Sequence, residues 1–162
     1  MDALSIEVRP AGLGDVDALV ELHRACWVEA YTDLMPPGAV DRVFADPERL
    51  RRRRVEQIAD PARTMLLAVV DDALVGFAAS GPPRHDDPPA PLELYAVYAR
   101  AATWGRGVGP ALLAAAVGAR PAYLWVLEGN DRAVAFYRRH RFAPDGATDE
   151  RPEGRVLRMT RR

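Results

Sequence analysis

Leu92-Glu93-Leu94-Tyr95-Ala96-Val97-Tyr98-Ala99, followed four residues later by Trp104-Gly105-Arg106-Gly107-Val108-Gly109-Pro110, is the stretch that decides how this chain folds. The first eight residues alternate, with Glu93, Tyr95 and Val97 on one face and Leu92, Leu94, Ala96 and Tyr98 on the other, which predicts a strand. Three alternate glycines then open an alanine-rich helix from about Pro110 to Arg120, where a proline in the first turn is tolerated. Ala122 to Leu127 reads as the next strand. Glycines between a strand and a helix let the backbone approach a ligand, and the helix start supplies unpaired N–H groups and partial positive charge. A diphosphate is the natural guest, and a tight turn is the plainer alternative. All 22 basic residues are arginine. That composition excludes a lysine phosphate loop and a lysine Schiff base, leaving amides, arginine and hydroxyls to hold phosphate.

Upstream, Ile6 to Arg9 alternates as a short strand, and Asp15 stands as cap to an amphipathic helix reaching about Tyr31. Leu19, Leu22, Cys26 and Ala30 form one stripe of that helix, with Val16, Val20, His23, Trp27 and Tyr31 beside it. Pro36-Pro37-Gly38 breaks the chain before a second helical stretch, interrupted near Pro47 and ending toward Asp60. Its arginine run, Arg51 to Arg54, reads as a solvated face. Met65 to Val70 and Leu74 to Ser80 predict a hairpin, and residues 81–91, with five prolines, predict an irregular connection. Downstream, Asp131 to His140 reads as a helix, and the segments from Phe142 and over Val156 to Thr160 as closing strands. The mixture places the chain in the α/β (α+β) class, with residues 1–162 as one domain.

Hydrophobic residues make up 49 % of 162, enough for a packed core that buries about two-thirds of the unfolded surface. The formal net charge of −1 argues against nucleic acid or an acidic membrane surface as partner. The single Cys26 excludes an internal disulfide and fits a buried apolar residue, while no Cys/His spacing suits a metal. The opening residues MDALSIEVRP lack a basic start and an apolar run, and no stretch has a membrane span's length, so the expected location is cytoplasmic.

A dinucleotide turn wants G-x-G-x-x-G, but Pro110 occupies the last glycine position and too few strands follow for a doubly wound sheet. A dinucleotide oxidoreductase therefore ranks well behind. The sequence instead resembles the GNAT acetyltransferase superfamily. Trp104-Gly105-Arg106-Gly107-Val108-Gly109 is similar to that family's [Gln/Arg]-x-x-Gly-x-[Gly/Ala] turn, and Asn130, Ala133, Phe136-Tyr137 and Arg141-Phe142 match its second motif in spacing. Residues 27–36 also resemble a bacterial branch that includes polyamine-like acetyltransferases. Trp104 departs from the family's Gln/Arg, Ala101 from a common proline and Arg141 from a glycine. If position 141 requires a positive φ, arginine costs roughly 1 kcal/mol there.

The resemblance implies a mixed, mostly antiparallel twisted sheet of six to seven strands flanked by about four helices. It implies acetyl-CoA as co-substrate without a metal, and a small-molecule or peptide amine as acceptor. The amine attacks directly in a ternary complex, and the protein is a monomer or homodimer. The rival is a non-catalytic CoA-binding module of the same fold. Carried over, Val97, Tyr98 and Ala99 offer backbone groups to the acyl carbonyl and pantetheine arm, and residues Trp104, Gly105, Arg106, Gly107, Val108, Gly109 and Pro110 cradle the diphosphate. Asn130 binds the pantetheine chain, caps the following helix, or does both. Glu93 is the expected base, directly or through a water; a solvent-facing or salt-bridged strand glutamate is the alternative. Tyr137 is the expected acid for the leaving thiolate, with a core aromatic as alternative. Trp27, Tyr31 and Tyr95 line the acceptor side, although Trp27 and Tyr31 also suit a packed pair.

Overall fold

A computed structural model describes residues 3–162. Its strands are β1 (Glu7–Pro10), β2 (Thr64–Val70), β3 (Ala73–Gly81), β4 (Glu93–Ala99), β5 (Ala122–Leu127), β6 (Ala143–Arg151) and β7 (Gly154–Arg161). They form one sheet in the order β1-β2-β3-β4-β5-β7-β6, antiparallel throughout except between β4 and β5. The helices are α1 (Val16–Tyr31), α2 (Ala39–Val43), α3 (Pro47–Ala59), α4 (Val108–Val117) and α5 (Asp131–Arg139). There are five rather than four because the second helical stretch splits. Phe44 leaves helical geometry, Asp46 caps a new start by accepting the Arg49 N–H at 3.0 Å, and Pro47 takes the first turn. None of the described helices is long and apolar enough to cross a membrane.

Local chemistry explains the boundaries. The β2–β3 turn uses Asp71 and Asp72 at φ +49° and +62°, as a two-residue hairpin requires. Asp15 occupies the N-cap position of α1, but its side chain accepts no N–H of that helix. A short 3-10 turn, Leu13–Asp15, precedes the helix, and the Asp15 carboxylate accepts the Gly12 N–H at 2.8 Å and two bonds from Arg9. The α4 helix stops at Gly118 (φ +57°), earlier than expected, and the Arg120 guanidinium takes over the carbonyls of Ala116 and Val117.

Two layers of helix cover the sheet. On one face Val108, Leu112, Leu113, Ala116 and Val117 of α4 pack on Leu66, Ala78, Leu94 and Leu124. A Cβ at Gly76 would sit 2.7 Å from the Tyr98 carbonyl and 3.1 Å from Leu112, so glycine there permits the helix to lie close. On the other face Leu19, Leu22 and Cys26 of α1 pack on Met65, Leu67, Phe77 and Ala79. Each buried leucine contributes roughly 2 kcal/mol through surface removed from water.

The feature that shapes the site is an irregularity in β4. Ala79 pairs with Ala96 but Ser80 with Leu94, so Tyr95 is an extra residue on β4. The simple alternation read from the sequence therefore fails. Leu94, Val97 and Ala99 face α4, whereas Tyr95, Ala96 and Tyr98 face α1. Beyond the bulge β4 leaves β5. The two strands pair only at Glu93 with Tyr123, while β5 pairs along its whole length with β7.

Candidate active site

The parting of β4 and β5 leaves a gap bounded by the α4 start and α5. A cavity of about 410 Å³ occupies it, lined by Val97, Tyr98, Ala99, Trp104, Gly105, Gly109, Pro110, Asn130 and Tyr137 among others. Nine of the residues expected to act on the cofactor or the leaving group thus meet in one place. Strand parity decides which amides are free. Arg100 donates its N–H to Val75 on β3 at 2.8 Å, so Tyr98, two residues back, points the same way, and Val97 and Ala99 point their N–H groups into the gap. Tyr98 contributes its side chain there instead.

Gly107 (φ +97°) is the N-cap of α4, and the first intrahelical bond runs from the Ala111 N–H to the Gly107 carbonyl. The N–H groups of Val108 and Gly109 therefore precede any intrahelical acceptor, and Pro110 has none to satisfy. Gly105 (φ +73°) has open space where a Cβ would stand. Arg106, Gly107 and Val108 do not line the cavity with side chains: Arg106 is exposed and donates its N–H to Thr103, and Val108 is fully buried against the sheet. Any part Gly107 and Val108 play is through main-chain amides. Trp104 replaces the family's polar residue with an indole whose Nε1 donates to the Ala99 carbonyl at 2.9 Å. Its ring carries the Arg132 guanidinium 3.5 Å from the centroid. Arg132 and Arg139 add positive charge to the cavity wall, a contribution no spacing in the sequence announced.

Asn130 is buried and accepts the Ala133 N–H at 3.3 Å, so the capping alternative holds. Tyr137 is buried at the cavity wall, and burial pushes its phenol above the usual range. It keeps its proton at neutral pH. Cys26 also touches this cavity, but burial pushes its thiol up to about 12, so it is no nucleophile.

A second cavity, about 380 Å³, lies on the α1 face of the sheet. Trp27, Tyr31 and Tyr95 line it, as expected, together with His23, Phe44 and Phe77. Tyr98 belongs to both cavities, and its hydroxyl is 3.0 Å from that of Tyr31. Burial raises the Tyr98 phenol well above the usual range and the neighbouring Tyr31 adds to the rise. The two chambers meet at a pair of neutral phenols.

Glu93 lies elsewhere. It is fully buried where β4 still pairs with β5 and lines neither cavity. Its carboxylate accepts the Arg84 N–H at 3.0 Å, the Arg84 guanidinium at 3.2 and 3.0 Å and the Tyr123 hydroxyl at 3.3 Å. The salt-bridged alternative is the one realised. His85 approaches Glu93 at 3.8 Å. The carboxylate on the acceptor wall is Glu153, in the β6–β7 turn, which the sequence did not single out. The arginine run also departs from expectation: Arg53 and Arg54 line the acceptor cavity, and Arg54 is only 8 % exposed. No group of His, Cys, Asp and Glu among the described residues could hold a metal ion.

The family model described as "Acetyltransferase (GNAT) family" matches residues 16–142. The chain belongs to the GNAT acetyltransferase family. Among similar proteins is a probable N-acetyltransferase of Mycobacterium tuberculosis, 24 % identical over 152 residues, covering 91 % of this chain and 86 % of the relative. In fold the chain is similar to the PaiA N-acetyltransferase of Thermoplasma acidophilum, whose crystal structure is a complex with coenzyme A. That likeness has TM-score 0.78 and 19 % identity and covers 96 % of this chain and 98 % of the other. A ribosomal-protein-alanine N-acetyltransferase of Brucella melitensis superposes with TM-score 0.73 at 22 % identity, covering 96 % and 98 %. The GNAT fold, with its seven-stranded open sheet, is the one the sequence motifs implied.

Proposed function

We propose that this chain is a cytoplasmic N-acetyltransferase that passes an acetyl group from acetyl-CoA directly to an amine bound in the second cavity. The observation that carries the reading is the meeting of two cavities at Tyr98, one bounded by free amides at a helix start and the other by aromatic rings. Acetyl-CoA would lie along the gap, its diphosphate at the amides of Gly107, Val108 and Gly109 with Arg132 beside it and its arm along Val97 and Ala99. When bound, it supplies an activated thioester.

The chain's own groups divide the remaining work. The amides of Val97 and Ala99 are fixed donors facing the gap, suited to charge growing on a carbonyl oxygen; removing one such donor typically costs about 10²–10³ in rate. An alkyl ammonium has a pKa near ~10.4, so only about one molecule in 10³ is free base at neutral pH. We assign proton removal to Glu153, which lines the acceptor cavity that Tyr31 also lines. Glu93 becomes a positioning residue that holds Arg84 against the Tyr95 ring, 4.3 Å from its centroid. Tyr137 holds its proton more tightly than a free phenol, so it serves the departing sulfur as a hydrogen-bond donor more readily than by full proton transfer.

The non-catalytic alternative draws on the neutralisation of Glu93 by Arg84. One assay separates the two. Acetyl-CoA should raise the melting temperature under either reading, but only an enzyme releases free thiol when amines are added. Binding without thiol release across a broad amine panel would favour the module.

A further inference from the structure

The acceptor cavity is unbalanced in charge. Five arginines, at positions 53, 54, 63, 84 and 151, reach its wall against Glu153. Three of them are already paired: Arg63 with Asp60 at 3.3 Å, Arg84 with Glu93 at 3.0 Å and Arg151 with Asp149 at 3.3 Å. Arg54 is not. Its guanidinium contacts Gln57 Oε1 at 3.0 Å, His23 Nδ1 at 3.1 Å, Met65 Sδ at 3.8 Å and the face of Phe77 at 5.3 Å, with no carboxylate among the described residues. Its neighbour Arg53 is exposed at the same wall and likewise has no carboxylate partner among them.

Stability does not account for this arrangement. A buried cation without a counter-charge is costly, and an apolar side chain of similar volume would fill the space more cheaply. His23 offers no compensation: burial, then the charges of Arg54 and Arg53, push its imidazole down to about 3, so it stays neutral. A further donor on this wall is unsatisfied. The indole N–H of Trp125 is buried and has no acceptor among the described residues. A cavity with a surplus donor and an unpaired buried cation is built for a guest that brings acceptor atoms and negative charge.

The cavity also has direction. Tyr98, where it meets the cofactor cavity, lies 5.5 Å ring to ring from Phe77, and Phe77 lies under Arg54. Glu153, on the same wall, is near enough for its charge to act on Tyr31. Accepting the acetyl-transfer reading above, we propose that the acceptor is an amine carrying an anionic group, carboxylate or phosphate, at the far end of a short apolar body. The anion sits on Arg54 with Arg53 at its edge, and the amine lies between Glu153 and the Tyr31–Tyr98 hydroxyls. A polyamine, with a cation at each end, would set its second charge against Arg54 and be rejected.

The test compares 6-aminohexanoate, 6-aminohexyl phosphate, hexylamine and spermidine as acceptors with saturating acetyl-CoA. One or both anionic amines should exceed hexylamine at least tenfold in kcat/KM, spermidine should be poorest, and the two anionic arms show which acid is preferred. In Arg54→Gln the advantage should shrink below threefold while the Kd for acetyl-CoA is unchanged; Arg54→Lys should keep part of it. Equal or better use of hexylamine or spermidine, or an undiminished advantage in Arg54→Gln, overturns the proposal. Should Arg54→Gln fail to fold, Arg53→Gln, at an exposed position, must lower the advantage at least twofold. Binding is measured separately by titrating hexanoate into the acetyl-free protein and following tryptophan fluorescence. Hexanoate should bind at least tenfold more tightly than hexylamine. This arm stands even if no thiol is released, so a failed acyl-transfer reading and a failed anion site give different results. No hexanoate binding overturns the site.

Discussion

Replacing Glu93 by glutamine separates a catalytic carboxylate from an anchoring one. The wild-type side chain is fully buried and receives the Arg84 N–H, two guanidinium bonds and the Tyr123 hydroxyl. Removing one partner of a fully buried ion pair typically costs about 3–5 kcal/mol. Arg84 is 36 % exposed, and the amide oxygen can still accept, so the loss here should be about 2 kcal/mol. For a chain of this size that lowers the melting temperature by about 4–8 °C. A general base, by contrast, is worth about 10²–10⁴ in rate. In Glu93→Gln, measured well below the new melting temperature, kcat should fall by less than about fivefold with the shape of its pH profile preserved. Glu153→Gln should do the opposite, losing at least about 30-fold in kcat at nearly unchanged stability. Thermal denaturation and thiol-release kinetics on the two variants are sufficient. A hundredfold loss in Glu93→Gln without a change in melting temperature would show that Glu93, not Glu153, takes the proton.

Tyr137→Phe should reduce kcat at least about tenfold while leaving the Kd for acetyl-CoA within about twofold, since the ring remains and only the donor is lost; equal turnover removes Tyr137 from the chemistry. Arg141 sits at φ +71° and is exposed, so Arg141→Gly should relieve strain and stabilise by about 1 kcal/mol, read as a rise of about 2–4 °C. A fall would mean the arginine makes compensating contacts. His23 titrates near 3 in the folded chain against 6.5 unfolded, so the unfolded state binds its proton first as pH drops. Its contribution is present above pH 6.5 and is lost toward pH 3, at no more than about 1.4 kcal/mol per pH unit. His23→Gln should flatten the stability profile between pH 6 and 4, and an unchanged slope by chemical denaturation would refute the assignment.

Much of the fold was legible because local chemistry and tertiary packing agree. The hairpin at Asp71-Asp72, the Gly107 N-cap of α4 and the Asn130 cap of α5 are all where their residue types demand them. The cofactor side of the site was legible for the same reason: its residues cluster within two short segments that carry their own turns and caps. The β4 bulge was not, because inserting Tyr95 changes no residue type and shows only when β3 is laid beside it. That single residue redirects Tyr95 and Ala96 to one face. Which alternative Glu93 takes was not legible because its partner Arg84 comes from the proline-rich connection, which has no periodicity to reveal where it folds back. The arginine run looked solvated since four consecutive arginines span a helix surface; only the packing of α3 beside α1 turns Arg54 inward against His23.

A crystal structure of the protein with coenzyme A decides whether the two chambers work as described. The diphosphate should rest on the amides of Gly107, Val108 and Gly109 and the arm should run through the gap between β4 and β5, bringing the sulfur beside Tyr98 and Tyr137. Coenzyme bound anywhere else, with that gap closed by solvent or side chains, would contradict the assignment of both cavities.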